Sequence, residues 1–355
     1  MNDPLDRRFT GTAPVQARHA FDPAALQAYM ARHVDRAIGT LGISQFRGGQ
    51  SNPTFLVEGN GRRYVVRRKP PGELLPSAHA VDREYRVMRA LQHTGVPVPR
   101  VHALCEDEQV IGSAFYVMEF VDGRVLWDPA LPDLPPADRA QVYAEMNRVL
   151  AALHDVDVAA VGMADFGRPG NYIARQVARW TKQYRAAETE RIEPMERLIE
   201  WLPAHVPAPT GASLVHGDYR LDNLVFAHDA PRLIAVLDWE LSTVGDPIAD
   251  FAYHCMAWHL APSLRGLGPL DAVQLAALNL PGEDDYVAAY CHRRGLPPVP
   301  AGDWRFYMAF NLFRAAGIAQ GIMGRALAGN ASSPHALEAG RQAVQLATLG
   351  WAQVR

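Results

Sequence analysis

The chain has 355 residues, 48% apolar and 21% charged, with a net charge of −3 at pH 7. That balance predicts a globular chain with core enough for about two lobes. It argues against broad electrostatic attraction to nucleic acid or to an anionic membrane, so neither is expected as a partner.

Residues 1–20 are polar and mixed and read as a loose N-terminal arm, without the apolar core of a signal peptide. No run approaches ~18 uninterrupted apolar residues, so no spanning helix is expected. Cys105, Cys255 and Cys291 are isolated from one another and offer neither a disulfide framework nor a zinc site. The expected location is the cytoplasm.

A first helix begins at Phe21-Asp22-Pro23, with Asp22 as N-cap and Pro23 at the first helical position. Ile43–Arg47 and Thr54–Glu58 read as strands around Gly48-Gly49-Gln50-Ser51-Asn52-Pro53, and Gly61-Arg62 turns the chain into a third strand, Tyr64–Arg68. Residues 79–94 carry apolar residues at helical spacing. Val101–Glu106 and Phe115–Phe120 read as two more strands, and residues 122–136, rich in Pro and Asp, as a connector. From about residue 137 the pattern is mostly helical: 137–154, 171–187, 303–328 and 335–352, with a further helix starting at Asp246-Pro247. The strand-like exceptions are Ser213–Val215, Leu224–Phe226 and Leu233–Leu237. The predicted fold class is α+β: residues 21–120 form a small β-rich lobe with one main helix, and residues 121–355 a larger, mostly helical lobe.

Those last strands bracket His216-Gly217-Asp218-Tyr219-Arg220-Leu221-Asp222-Asn223 and Leu237-Asp238-Trp239-Glu240. An Asp, an Asn five positions on, and a second Asp ending an apolar run resemble the working part of a kinase. In that reading Asp218 orients a substrate hydroxyl and accepts its proton, while Asn223 and Asp238 supply hard oxygen ligands for Mg2+. His216 braces the loop. Either Asp alone would read as an ordinary turn or strand-end residue. The Gly48-Gly49 turn between two strands lets backbone approach phosphates closely, with Ser51 and Asn52 as polar contacts. The chain has no G-x-x-x-x-G-K-[ST], which argues against a P-loop enzyme.

The octapeptide and Asp238-Trp239-Glu240 resemble the aminoglycoside phosphotransferase family, which shares the protein-kinase-like two-lobed fold. The resemblance covers roughly residues 36–330. Arg67-Arg68-Lys69-Pro70-Pro71-Gly72, Val81-Asp82-Arg83-Glu84-Tyr85, Val96-Pro97-Val98-Pro99 and Phe115–Phe120 are similar to the branch found as a kinase-like domain beside acyl-CoA dehydrogenases. The resemblance implies a small-molecule O-phosphotransferase using ATP or GTP with Mg2+, and a functional link to an acyl-CoA dehydrogenase. It also implies a cation on the third strand paired with a helix Glu. Arg67 and Glu84 fill those positions, with Lys69 a rival for the cation because it shares the strand face. Met118–Phe120, including Glu119 and Phe120, would be the hinge whose backbone binds adenine.

Residues 251–330 are short of carboxylates, unlike a pocket for a polycationic sugar, so a hydroxyacyl or other non-antibiotic acceptor is expected. An aminoglycoside kinase and a non-catalytic nucleotide-binding module remain the alternatives.

Overall fold

The computed structural model describes residues 10–47, 52–70, 80–168, 170–329 and 336–354. They divide into two compact units: residues up to Trp127 together with Asp222–Ser242, and Asp128–Leu221 together with Thr243–Arg355. The sequence boundaries, 21–120 and 121–355, place 222–242 with the helical part, whereas in the structure that segment packs with the β-rich one.

In chain order the first unit contains β1 (Thr12–Ala13), α1 (Pro23–His33), β2 (Gly42–Phe46), β3 (Thr54–Gly59), β4 (Arg62–Arg68), α2 (Val81–Leu91), β5 (Val101–Cys105), β6 (Phe115–Glu119) and β7 (Arg124–Val125). The sheet order is β1-β2-β3-β4-β6-β5, with each neighbouring pair antiparallel. Strand periodicity sorts its side chains. Phe55, Val66 and Val117 are opposite one another on three adjacent strands, and pack with Leu26 and Met30 of α1 into a core. The next row along, Thr54, Arg67 and Tyr116, presents the other face. That parity places Arg67 on the face opposite the row containing Phe55, Val66 and Val117.

Within the expected arm, Thr12 and Ala13 pair with Phe46 and Gln45 of β2. Asp22 caps α1 as the sequence predicts, its Oδ1 accepting from the Ala24 amide at 2.9 Å.

The second unit begins with α3 (Pro136–His154), α4 (Tyr172–Ala186), α5 (Glu193–Ala204) and β8 (Ser213–Val215). The chain then contributes β9 (Leu224–Phe226) and β10 (Leu233–Val236) to the first unit, where β9 lies between β10 and β7. It returns through β11 (Thr243–Gly245), which pairs with β8, and continues as α6 (Pro247–Cys255), α7 (Ala272–Ala277), α8 (Glu283–Arg293), α9 (Ala301–Leu327) and α10 (Ala336–Ala352). Helix α6 is buried along its whole length. Asp246 caps it, accepting from the Ile248 and Ala249 amides at 2.9 and 3.1 Å, and Tyr307 of α9 donates to the other carboxylate oxygen at 2.9 Å. Phe251 of α6 stacks on Tyr290 of α8 with ring centroids 3.8 Å apart. Among the described residues no helix is long and apolar enough to cross a membrane.

Candidate active site

The first unit carries a buried cation held by three carboxylates. Arg67 Nε lies 2.8 Å from Glu84 Oε2, and its Nη2 lies 2.8 Å from Asp238 Oδ1 and 3.8 Å from Glu240 Oε2. Arg67 is 7% exposed and Glu84 1%. Glu84 has further donors: Asn52 Nδ2 at 2.8 Å and the Tyr116 hydroxyl at 3.0 Å. Burial pushes the Glu84 carboxyl up to about 7, against the pull of the Arg67 charge. Burial also works against the Arg67 charge, but Glu84 and Asp238 outweigh it and raise its pKa. Lys69, the rival cation, lies 3.9 Å from Asp82 and is a third exposed. The planar guanidinium fork explains how one side chain reaches Glu84 and Asp238 together.

Antiparallel pairing of β9 with β10 brings Asn223 beside the end of β10. The Leu237 amide donates to the Asn223 carbonyl at 2.8 Å, so Asn223 and Asp238 follow from the same end of the hairpin. Asp238 has φ 62° and ψ 65°, a left-handed conformation that a short polar side chain tolerates but does not favour. An amide oxygen and a carboxylate are the hard donors that suit Mg2+, which keeps waters and phosphate oxygens as its other ligands. Among the described residues no group of three or more His, Cys, Asp and Glu is arranged as a metal cage. Asn223 and Asp238 are the residues that could hold such an ion.

At the expected hinge, two backbone amides are engaged within the first unit. The Glu119 amide donates to the Arg100 carbonyl at 2.8 Å, and the Phe120 amide to the Arg63 carbonyl at 3.4 Å, so both donors are used inside the unit. The Glu119 carboxylate accepts from the Arg100 amide at 2.8 Å. Gly48, Gly49 and Ser51 lie outside the described residues.

The second unit carries Asp218, on the loop leaving β8. Gly217 adopts φ 83°, which glycine supplies without strain. Its amide and that of His216 donate to Asp250 Oδ1 and Oδ2, each at 2.8 Å. Arg314 Nη2 donates to the Gly217 carbonyl at 2.5 Å, and the Asp218 amide donates to His216 Nδ1 at 3.1 Å. Beneath the loop, His154 Nε2 lies 3.1 Å from Asp250 and Nδ1 2.5 Å from the Tyr290 hydroxyl. Burial depresses His154, so the ring is neutral, with Nε2–H donating to Asp250 and Nδ1 accepting from Tyr290. Burial would raise the Asp250 carboxyl, but His154 and the His216 amide together hold it below its usual value. Asp250 is therefore held by a neutral histidine and two backbone amides, a hydrogen-bonded carboxylate and not a buried ion pair.

Asp218 itself accepts from the Tyr253 hydroxyl at 2.6 Å, and Arg220 Nε lies 3.2 Å from the same oxygen. The family resemblance places Tyr253 on a helix that bounds the acceptor pocket, where it reads as core more readily than as a contact, and its bond to Asp218 was not expected. Its signal was its place three residues after Asp250, on the same helix face.

A family model described as "Phosphotransferase enzyme family" matches residues 42–310. The chain belongs to this family. Acyl-CoA dehydrogenase family member 10 of Mus musculus is 47% identical over 352 residues, which are 98% of this chain and 32% of that protein. The phosphotransferase thus spans about a third of the length of that curated relative. A solved structure of a candidate aminoglycoside phosphotransferase from Ralstonia eutropha JMP134 is 54% identical, with TM-score 0.85, covering 94% of this chain and 98% of the other. A thermostable APH(4)-Ia mutant, solved with AMP-PNP and hygromycin B, shares the fold at TM-score 0.60 and 15% identity, over 93% and 98% of the two chains. The protein-kinase-like α+β fold expected from the motifs is the one found. The chain is a kinase-like small-molecule phosphotransferase acting on an alcohol group, in the branch whose relatives bear the acyl-CoA dehydrogenase name.

Proposed function

We propose that this phosphotransferase moves the γ-phosphoryl group of ATP (or GTP) to the hydroxyl of a small metabolite, with Asp218 as base. The substrate oxygen forms a bond to the γ-phosphorus, the bond to the bridging β–γ oxygen breaks, and the hydroxyl proton passes to Asp218. Asn223 and Asp238 would hold Mg2+, whose contribution when bound is to neutralise charge on the phosphates. Arg67 would contact the non-transferred phosphates, with Glu84 fixing its fork; Lys69 remains the competing cation. Asn52, together with Gly48, Gly49 and Ser51, would line the phosphate side. The hinge role falls to the chain around Glu119 and Phe120 through groups other than their engaged amides.

The single observation that carries this reading is the Arg67 fork joined to both Glu84 and Asp238. A surface arginine would not be buried between the helix glutamate and the acid that ends β10.

The charges around Tyr253 favour a neutral or anionic acceptor. Those acting on its hydroxyl are Asp218, Arg220 and Arg314, one carboxylate against two guanidinium groups. That balance gives a polycationic sugar no carboxylate surplus to bind at this point. The names of the relatives support a hydroxyacyl compound and a link to acyl-CoA dehydrogenase chemistry. The test is a phosphoryl-transfer screen with ATP and GTP against hydroxy acids, hydroxyacyl-CoA thioesters, amino alcohols and aminoglycosides. Turnover of a hydroxyacyl compound is expected, and turnover of aminoglycosides alone would overturn the acceptor class. A chain that binds nucleotide and transfers to none of them would be a binding module.

A further inference from the structure

We infer that Tyr253 is a positioning residue for Asp218, and that Arg314 holds Tyr253 and the Asp218 loop together. The inference rests on the reading of Asp218 as the base.

Helix geometry makes the arrangement possible. Asp250 and Tyr253 are three residues apart on α6 and face the same way. Asp250 takes the backbone of the loop through the His216 and Gly217 amides. Tyr253 takes its working side chain, donating to Asp218 Oδ1 at 2.6 Å, within the short range of bonds from a hydroxyl to a carboxylate. Buried Tyr253 keeps its proton, because burial and then the Asp218 charge push its pKa well up. It is therefore a fixed donor and not a second base. Arg220 Nε reaches the same oxygen at 3.2 Å. With one oxygen hydrogen-bonded to the Tyr253 hydroxyl and paired with the Arg220 charge, the carboxylate is restrained about its last torsion, which places its other oxygen.

Arg314 of α9 ties the two supports to each other. Its guanidinium lies over the Tyr253 ring, 4.9 Å from the centroid, and 5.6 Å from that of Trp180 on α4. The same side chain donates to the Gly217 carbonyl. One buried arginine thus fixes the residue before the base and the ring that holds the base.

The experiment measures phosphate release from MgATP, with water as the acceptor probe, for the full chain and for Tyr253→Phe, Asp218→Asn and the double variant. Tyr253→Phe keeps the ring under Arg314 and removes only the donor. Loss of orientation should lower kcat by ~10–100-fold while KM for MgATP stays within about twofold. In the Asp218→Asn background the same change should have no further effect, because Tyr253 acts through Asp218. Tyr253→His, which can restore an N–H donor, should recover part of the rate.

Wild-type kcat in Tyr253→Phe, or an equal drop in both backgrounds, overturns the inference and leaves Asp218 as base. Wild-type turnover in Asp218→Asn instead overturns the function on which it rests. A second readout needs no turnover. In 3-fluorotyrosine-labelled protein, the 19F resonance lost in Tyr253→Phe should move in Asp218→Asn, and its titration midpoint should fall. A resonance that does not move overturns the contact.

Discussion

Replacing Arg67 with alanine should destabilise the β-rich unit and weaken nucleotide binding together. Arg67 is buried, and its fork meets Glu84 and Asp238 at 2.8 Å each. Its removal leaves the Glu84 carboxyl, 1% exposed, with only the neutral donors Asn52 and Tyr116. Breaking a buried pair in this way costs about 3–5 kcal/mol, mostly the penalty of the uncompensated charge. Roughly 2–4 °C of Tm per kcal/mol applies to a unit of this size, so a fall on the order of 10 °C is expected. Lysine keeps the charge but not the fork, and should lose one charged contact, about 1.5–3 kcal/mol.

The pH dependence supplies a sign. Burial already holds Glu84 at about 7, above the reference carboxyl value. A native state that keeps a proton the unfolded chain has released loses stability as pH rises through that window. Without Arg67 the folded pKa rises further, so the deficit of Arg67→Ala should grow between pH 7 and pH 9. Thermal unfolding at those two pH values, with calorimetric titration of an ATP analogue and magnesium, reads both effects. Arg67→Ala that unfolds at the wild-type temperature, or Lys69→Ala that loses more nucleotide affinity, would refute the reasoning.

Asp238→Asn should remove the magnesium dependence of nucleotide binding, and unchanged calorimetric affinity would count against its ligand role. Asp250→Asn keeps the shape but offers one acceptor where two amides donate. It should cost about 3 kcal/mol or more and lower turnover at least as much as stability, checked by denaturant unfolding beside the rate. His254, fully buried beside the Tyr286 hydroxyl at 2.8 Å, is depressed to about 4 by burial. The unfolded chain takes up that proton near pH 6.5 and the native chain does not, so stability should fall as pH drops from 6.5 to 4, by about 3 kcal/mol. His254→Gln should flatten that limb, and an unchanged acid limb would contradict the assignment.

Much of the fold was legible because its signals are local. Asp22-Pro23 and Asp246-Pro247 marked two helix starts, and both acids accept the amides expected of a cap. The strands Ser213–Val215 and Leu224–Phe226 were readable from short apolar runs. The strands β1, β7 and β11 have only two or three residues, too few for periodicity to register, and they exist because a partner strand supplies their hydrogen bonds. Strand parity pointed to Arg67 or Lys69 without choosing. The contacts of Arg67 with Glu84 and Asp238, which are distant in sequence, were not legible there and support Arg67 without excluding Lys69. Glu119 and Phe120 were legible as a strand end, but not that their amides pair with Arg100 and Arg63, which lie elsewhere in the chain. Tyr253 was hidden for the same reason: a tyrosine on a buried helix looks like core until the loop it meets is known.

The most direct test of the central claim is Asp218→Asn assayed for phosphoryl transfer from MgATP beside calorimetric binding of the same nucleotide. Asp218 as base predicts turnover lowered by ~100-fold or more, with nucleotide affinity close to that of the wild type. Wild-type turnover in Asp218→Asn would contradict it.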